Sequence, residues 1–382
     1  MNTGLTKYAA PANRLLSLDT FRGLTIAAMI LVNNAGDWGH VFGPLRHARW
    51  HGWTMADLVF PFFVFIMGAA IPLALGRRLE KGESHRRVAC SVLQRTVILL
   101  VLGFLLNILP GCDFAAVRIP GVLQRLALCY LMGSLVFLAS RRPALWCVAA
   151  LALMAAHWAV LAFAPVPGYG PGVLEPEGNA AWYVDSRLFA GHTYRHAPAP
   201  GFDPEGLLGT LSAAATALFG MLTGAWMKKE RIQQNCFRGL FAAANGMIVA
   251  GLVMNELLPI NKNLWTPAFA VFTAGFALYF LLMCFWVMDV KRWLRPAIPF
   301  VALGSNALAV YVLSSLVAKT LVAITVAGAD GKALSLKTVI FTMIFASWME
   351  PYTASLAYAM VYLFLWGAVA VVIYRRNIFI RV

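Results

Sequence analysis

The sequence predicts an all-α, polytopic membrane bundle of about ten transmembrane helices plus one short re-entrant or interfacial segment. Two properties point there. Hydrophobic residues make up 60% of the chain and charged residues 12%, about half the charge of an average soluble protein. Apolar runs near the ~20 residues that a bilayer crossing needs recur between short clusters of Lys and Arg. The mean hydropathy of +0.72 agrees with both. A net charge of +15 could mark a nucleic-acid binder. Here the cations sit in the loops between apolar runs, a pattern that membrane topology explains.

The elements follow in order. Residues 1–20 are polar and lack the long apolar core of a cleavable signal. The first span is expected from Asp19 to Gly39 and the second over 54–76, joined by the hairpin HVFGPLRHARWHGW. The loop RRLEKGESHRR leads to a third span at 88–110. The fourth, at 120–140, follows GCDFAAVRIPG, and the fifth is 144–164. A polar stretch over 165–206, rich in Pro, Gly and His, precedes the sixth span at 207–228. The seventh is 236–258, the turn PINKNLW follows, and the eighth is 265–288. The ninth is 297–323 and the last 352–374, with 336–350 too short to cross. No internal repeat or separate soluble domain is evident, so residues 1–382 read as one transmembrane domain with an external loop at 165–206.

Ten spans place both termini on one side. That side carries Lys7, Arg14, the 77–87 cluster, Arg141, Arg142, Lys228–Arg231, Lys291–Arg295 and Arg375–Arg381. The positive-inside bias makes it cytoplasmic. The 40–53, 111–119, 165–206 and 259–264 loops then face outward. The expected location is a bacterial inner membrane.

His47 is a candidate base because imidazole titrates near neutral pH. With seven histidines in the chain, a solvated loop histidine is the alternative. Asn33 and Asn34 close the first span, and Asp57 lies inside the second. A loop between adjacent spans can bring an amide, an imidazole and a carboxylate together. Asp57 must be paired or wet if it is inside a membrane, although a helix N-terminus alone also favours a carboxylate. Pro61, four residues on, points to a broken, cavity-lining helix. His47 and His51 have i, i+4 spacing, but no third ligand follows and no metal is expected. The six cysteines form no C-x-x-C pair and read as buried free thiols.

Other polar residues gather at span ends. Asp19 and Arg22 flank the start of the first span. Arg118, Gln124 and Arg125 cluster at the outer end of the fourth, where Arg125 suits a protein-lined polar cavity. Asn261, Lys262, Asn263 and Trp265 form a turn suited to a sugar, with amides and an amine for hydroxyls and an indole for the sugar face; an interfacial Trp and a capped turn are the alternative. Asn306 is a lone amide within a span, either interhelical glue or cavity lining. No P-loop, Rossmann fingerprint, G-x-S-x-G or H-E-x-x-H occurs.

Six blocks resemble those of the heparan-α-glucosaminide N-acetyltransferase family, in its order: RLLSLDTFRGLTIAAMILVNN, HARWHGWTMADLVFPFFVFIMG, VRIPGVLQRLALCY, FDPEGLLGT, PINKNLW and GSNALAVYV. The resemblance implies a membrane acetyltransferase that takes acetyl from cytosolic acetyl-CoA to a glucosamine amine on the other side. It implies His47 as the active-site histidine and matches Asn33 to the family's asparagine. The chain is expected to lack the animal enzyme's large N-terminal lumenal domain. It also has Arg49, His51 and a longer hairpin before His47, which leaves the acceptor sugar open.

On that basis His47 takes the amine proton or carries the acetyl group, Asn33 stabilises the oxyanion, and Asp57 orients His47 or the sugar. Arg22, Arg77 and Arg78 are candidates for the CoA phosphates. Arg118, Gln124, Arg125, Asn261, Lys262, Trp265 and Asn306 are candidates for the acceptor. Acetyl-CoA is a co-substrate, an amino sugar and membrane lipid are the partners, nucleic acid is not one, and a homodimer is left open. The rival readings are an amino-sugar or oligosaccharide transporter and an acyltransferase with a different cell-envelope acceptor.

Overall fold

A computed structural model describes residues 15–230, 234–293, 297–327 and 333–380. The topological cations Lys7, Arg14, Arg231, Arg295 and Arg381 lie outside them. Helix α2 (Val59–Glu80) runs through the middle of the bundle. A 3-10 turn, Met55–Leu58, precedes it. Asp57 Oδ2 accepts from the Thr54 amide at 3.0 Å, the return half of a capping box. Pro61 does not break the helix, contrary to the sequence expectation. It sits in the first turn of α2, where the missing N–H has no intrahelical acceptor anyway.

Around α2 stand α1 (Leu16–Asn33), α3 (His85–Ile108), α4 (Val122–Ala139) and α5 (Pro143–Phe163), followed by the short loop helix α6 (Ala180–Leu188). Then come α7 (Gly209–Glu230), α8 (Gln234–Asn255), α9 (Pro267–Phe285), α10 (Ile298–Ser305), α11 (Ala307–Ala323), α12 (Leu336–Phe341) and α13 (Pro351–Arg375). Strands Thr325–Ala327 and Ala333–Ser335 form a small antiparallel pair. Starts are set by local chemistry. Ser84, Asn179, Thr266 and Glu350 each accept a first-turn amide of the helix they precede. Pro143, Pro267 and Pro351 open their helices.

Among the described residues nine helices are long and apolar enough to cross a membrane, and a tenth if α10 and α11 count as one. The protein is a polytopic helical membrane bundle. The segment Leu336–Ala346 is apolar but shorter than a crossing. Two expectations need correction. The first span ends at Asn33 rather than Gly39, because the chain leaves the helix at Asn34. The ninth is not continuous: α10 and α11 meet at 83° across Asn306. Gly304 and Asn306 are poor helix formers, and Arg22 Nη1 takes the Gly304 carbonyl at 3.3 Å. The cysteines also divide. Cys129 and Cys284 are buried, whereas Cys112 is exposed in the loop after α3 and Cys90 and Cys147 are exposed on helices; apolar helices in a membrane protein include a lipid-facing side.

Lipid tails are as apolar as Leu, so burial alone does not hold membrane helices together; close packing does. Helix α7 runs parallel to α2, and a Cβ at Gly220 or Gly224 would strike the carbonyls of Phe65 and Ala69. A Cβ at Gly68 would strike that of Ala217. The stripe Gly220-x-x-x-Gly224 thus lets two backbones touch. Gly23 and Gly304 do the same between α1 and α10, against the carbonyls of Phe300 and Asp19. Gly220→Val is expected to destabilise the protein by about 1–3 kcal/mol through overpacking. Gly246→Ala, with open space around it, is expected to be neutral or stabilising. Thermal unfolding of the two variants in detergent checks the contrast.

Candidate active site

The 40–58, 111–121, 164–208 and 256–266 segments gather at one end of the bundle. Gly52 N donates to Ile260 O at 2.8 Å, Ile119 N to His192 O at 2.9 Å, and Trp50 Nε1 to Leu174 O at 2.8 Å. At their centre is Asp57, which is fully buried. Its Oδ2 accepts from Ala48 N at 3.0 Å and from Thr54 N and Oγ1 at 3.0 and 3.1 Å. Its Oδ1 lies 2.8 Å from His47 Nδ1 and 3.2 Å from Lys262 Nζ. Lys262 Nζ also lies 2.9 Å from His47 Nδ1.

That imidazole nitrogen serves one partner at a time. Protonated, it donates to Asp57; unprotonated, it accepts from Lys262. Asp57 therefore pairs with two groups that can be cationic, on two different loops, while its other oxygen holds the hairpin backbone. His47 is exposed and Lys262 partly so. The buried anion faces a reactive group that stays accessible.

Lys262 is held by a rigid turn. Trp265 N donates to Lys262 O at 3.1 Å, Leu264 N to Asn261 Oδ1 at 2.9 Å, and Thr266 N to Asn261 O at 3.1 Å. Trp265 adopts φ +51°, an unusual conformation for a bulky residue, and is completely buried against Phe60 and Phe269. Its indole N–H donates to Thr216 Oγ1 at 3.2 Å. The expected aromatic platform is thus an anchor, with no indole face left for a sugar.

The other sequence candidates separate. Asn33 is exposed at the end of α1 and makes no hydrogen bond to His47 or Asp57. Asn261 is buried, with Nδ2 3.3 Å from His51 Nδ1. Arg118 is clamped by Asp203, at 2.8 Å from Nε to Oδ2, and by Glu205, and stacks on Tyr194. Gln124 donates to Ile119 O at 3.0 Å. Arg125 is buried over the Trp265 ring and donates to Gly206 O at 2.8 Å. Asn306 is buried at the α10–α11 break. Of the acceptor-site candidates, only Lys262 reaches His47. No cluster of three His, Cys, Asp or Glu side chains with metal-binding geometry occurs among the described residues.

A cavity of about 650 Å³ runs beside α2, within the size range of small-molecule sites. Phe60, Phe63, Met67, Ala70, Ala74 and Arg78 line it, a stripe at helical spacing. From Phe60 to Arg78 this stripe extends roughly 27 Å. Its upper end is less than one turn from Asp57. Its lower end carries Arg22, Arg78 and Arg95 with Ser91 and Gln94. Arg22 pairs with Asp19 at 3.0 Å, and Arg78 with Glu83 at 2.7 Å. Arg95 stacks on Tyr130 and has no carboxylate partner among the described residues. Arg77 is exposed and does not line the cavity. Arg95 was missed in the sequence; the signal was a cation well inside the third apolar run.

Residues 14–176 match the family described as "Heparan-alpha-glucosaminide N-acetyltransferase, catalytic". The similarity to that family covers these residues. Proteins named heparan-alpha-glucosaminide N-acetyltransferase from Mus musculus and Homo sapiens are each 32% identical to it, over 354 and 364 residues. The alignments cover 79% and 80% of the chain and 53% of each relative. The chain thus spans about half the length of these curated relatives. The matched segment contains His47, Asp57 and the three cavity arginines; Lys262 comes from outside it.

The 164–208 segment adds a titrating group. Asp185 is buried and accepts from Asp203 N at 3.3 Å and Leu207 N at 3.2 Å. Burial, with Asp203 beside it, pushes its carboxyl from 3.8 up to about 7. Burial alone would raise Glu205, but Arg118 holds it below its ordinary value. Asp185 is protonated in both states below its unfolded pKa, so its stabilisation is complete there. As pH rises towards 7 the unfolded chain loses that proton while the fold retains it, and stability falls. Asp185→Asn is therefore expected to gain stability relative to the parent as pH rises from 4 to 8, with the gain levelling above 7. Melting temperatures of both proteins across that range check it.

Proposed function

We propose that the chain is an acetyl-CoA-dependent acetyltransferase that moves an acetyl group to the amine of a glucosamine-type sugar. The observation that carries this reading is the His47–Asp57–Lys262 cluster near one end of a cavity whose other end is lined by three arginines. Cationic guanidinium groups suit the phosphates of CoA, and the narrow apolar stripe of α2 suits its uncharged arm. The match to the named family and the names of the two relatives support the acetyl donor and the glucosamine acceptor.

The residues divide the work. Arg95, Arg22 and Arg78 hold the phosphate end. With Nδ1–H donated to Asp57, His47 presents Nε2 as the base for the attacking amine. The amine nitrogen forms its bond to the acetyl carbon, the carbon–sulfur bond breaks, and the amine proton passes to His47. The CoA thiolate leaves and takes that proton from His47, which restores the base. Asp57, held in a dry site by four further donors, stabilises the imidazolium. Lys262 donates to Asp57 while His47 does so, and to Nδ1 when the ring gives up that proton. Asn33, at the same end of the bundle, is assigned to the thioester carbonyl.

The arginine-lined end is assigned to the cytoplasm by the positive-inside bias and the His47 end to the outer, periplasmic face of an inner membrane. Acetyl then crosses the membrane while the donor's phosphates stay inside. His47→Ala is expected to abolish acetyl transfer while leaving CoA binding intact; turnover within tenfold of the parent would sink the assignment. In proteoliposomes with acetyl-CoA enclosed, glucosamine outside is expected to be acetylated without being taken up. Uptake without acetylation would favour a transporter.

A further inference from the structure

Asn306 is absorbed by neither the catalytic cluster nor an acceptor site, yet it is almost completely buried and both its amide nitrogen and its amide oxygen are engaged. Nδ2 donates to Ile378 O at 3.1 Å, and Oδ1 accepts from Ile380 N at 2.9 Å. One side chain thus holds two backbone groups of the segment beyond α13, more than 70 residues away in sequence. The chain is turned back for this. Asn377 has φ +56°, and Ile378 N donates to Ile373 O at 3.1 Å. Phe379 packs edge-on against Tyr374 with ring centroids 5.9 Å apart.

The fastening does little for core packing. Ile378 and Ile380 remain 47% and 49% exposed. An amide that desolvates itself to hold two half-exposed isoleucines gains little apolar burial in return. What it gains is position. Ile380 lines the cavity near its arginine-lined end, together with Gly304, Ser305 and Arg22. Asn306 is the residue between Ser305 and Ala307, both of which line the same wall. The α10–α11 break therefore does two things: it turns the chain by 83° around the cavity and frees an amide to close the wall with the tail.

We infer that Asn306 is a positioning residue for the donor site, fastening residues 378–380 as the wall that encloses the phosphate-bearing end of a CoA thioester. This rests on the reading that the cavity takes the donor. The tail supplies an apolar wall facing Arg22, so the nucleotide end is confined between cations and aliphatic surface. Losing the wall weakens donor binding without touching the bond-making groups at the far end of α2.

The test uses the purified full chain, with CoA binding measured directly and acetyl-transfer kinetics measured at varied acetyl-CoA. Three variants are compared: Asn306→Ala, a chain ended after Asn377, and the two combined. Each is expected to raise the CoA dissociation constant and the KM for acetyl-CoA about tenfold with kcat nearly unchanged. The combined variant is expected to be no weaker than either single one, since both remove the same wall. If Asn306→Ala does not fold, the shortened chain carries the test. Arg95→Gln separates the two levels. Weakened CoA binding in Arg95→Gln but not in the tail variants would overturn this inference alone. Unchanged CoA binding in all of them would overturn it together with the donor-cavity reading. Additive losses accompanied by a fall in kcat would also overturn it, because they would mark a general structural role.

Discussion

The structure depends on a buried carboxylate that is never left alone. Asp57 has no exposure and five polar contacts, two of them to groups that carry or accept protons. An unpaired carboxylate in a membrane protein would be severely destabilising. Here the same contacts that satisfy it also fold the 40–53 hairpin onto the start of α2 and draw in the turn before α9. Stability and reactivity therefore share one atom group. Removing the carboxylate would release His47, Lys262 and the Thr54 backbone together.

From that point the rest of the bundle reads as alignment of α2. Its glycine contact with α7 fixes one face, and α1 and α9 fix another through the Phe21–Phe62–Phe280 cluster. The cavity occupies a remaining face, where side chains from α1, α3, α4 and the α10–α11 break leave space. Because α2 carries Arg78 near its foot and the 3-10 turn at its head carries Asp57, the two chemical ends of the proposed reaction are held at a set separation. A substrate long enough to touch both ends can then deliver its acyl group without moving its phosphates.

Much of this was legible in the residues. The apolar runs were sufficient for the membrane class and for most span boundaries. His47 and Asp57, ten residues apart on one hairpin, could be paired because the chain between two adjacent spans has few other paths. Lys262 was visible as a loop cation, but its contact with His47 joins residues 215 apart, and no local pattern encodes that. Trp265 illustrates the opposite error. Its residue type suits a sugar platform, whereas the left-handed backbone at that position turns it inward. Asn306 was noticed as a lone amide, but its partners lie in a tail whose sequence shows only hydrophobic and basic residues. Arg118 and Arg125 look like ligand cations in sequence and in the fold serve to hold the 164–208 segment, since Asp203, Glu205 and Gly206 meet them there.

The most direct measurement is the structure of the protein with CoA or a non-hydrolysable acetyl-CoA analogue bound. The expected density has phosphates against Arg22, Arg78 and Arg95, an extended arm along the Phe63–Ala74 stripe, and the sulfur at the Phe60 end within reach of His47. A nucleotide bound elsewhere, or a sulfur at the arginine-lined end of α2, would contradict the assignment of the cavity and of His47 together.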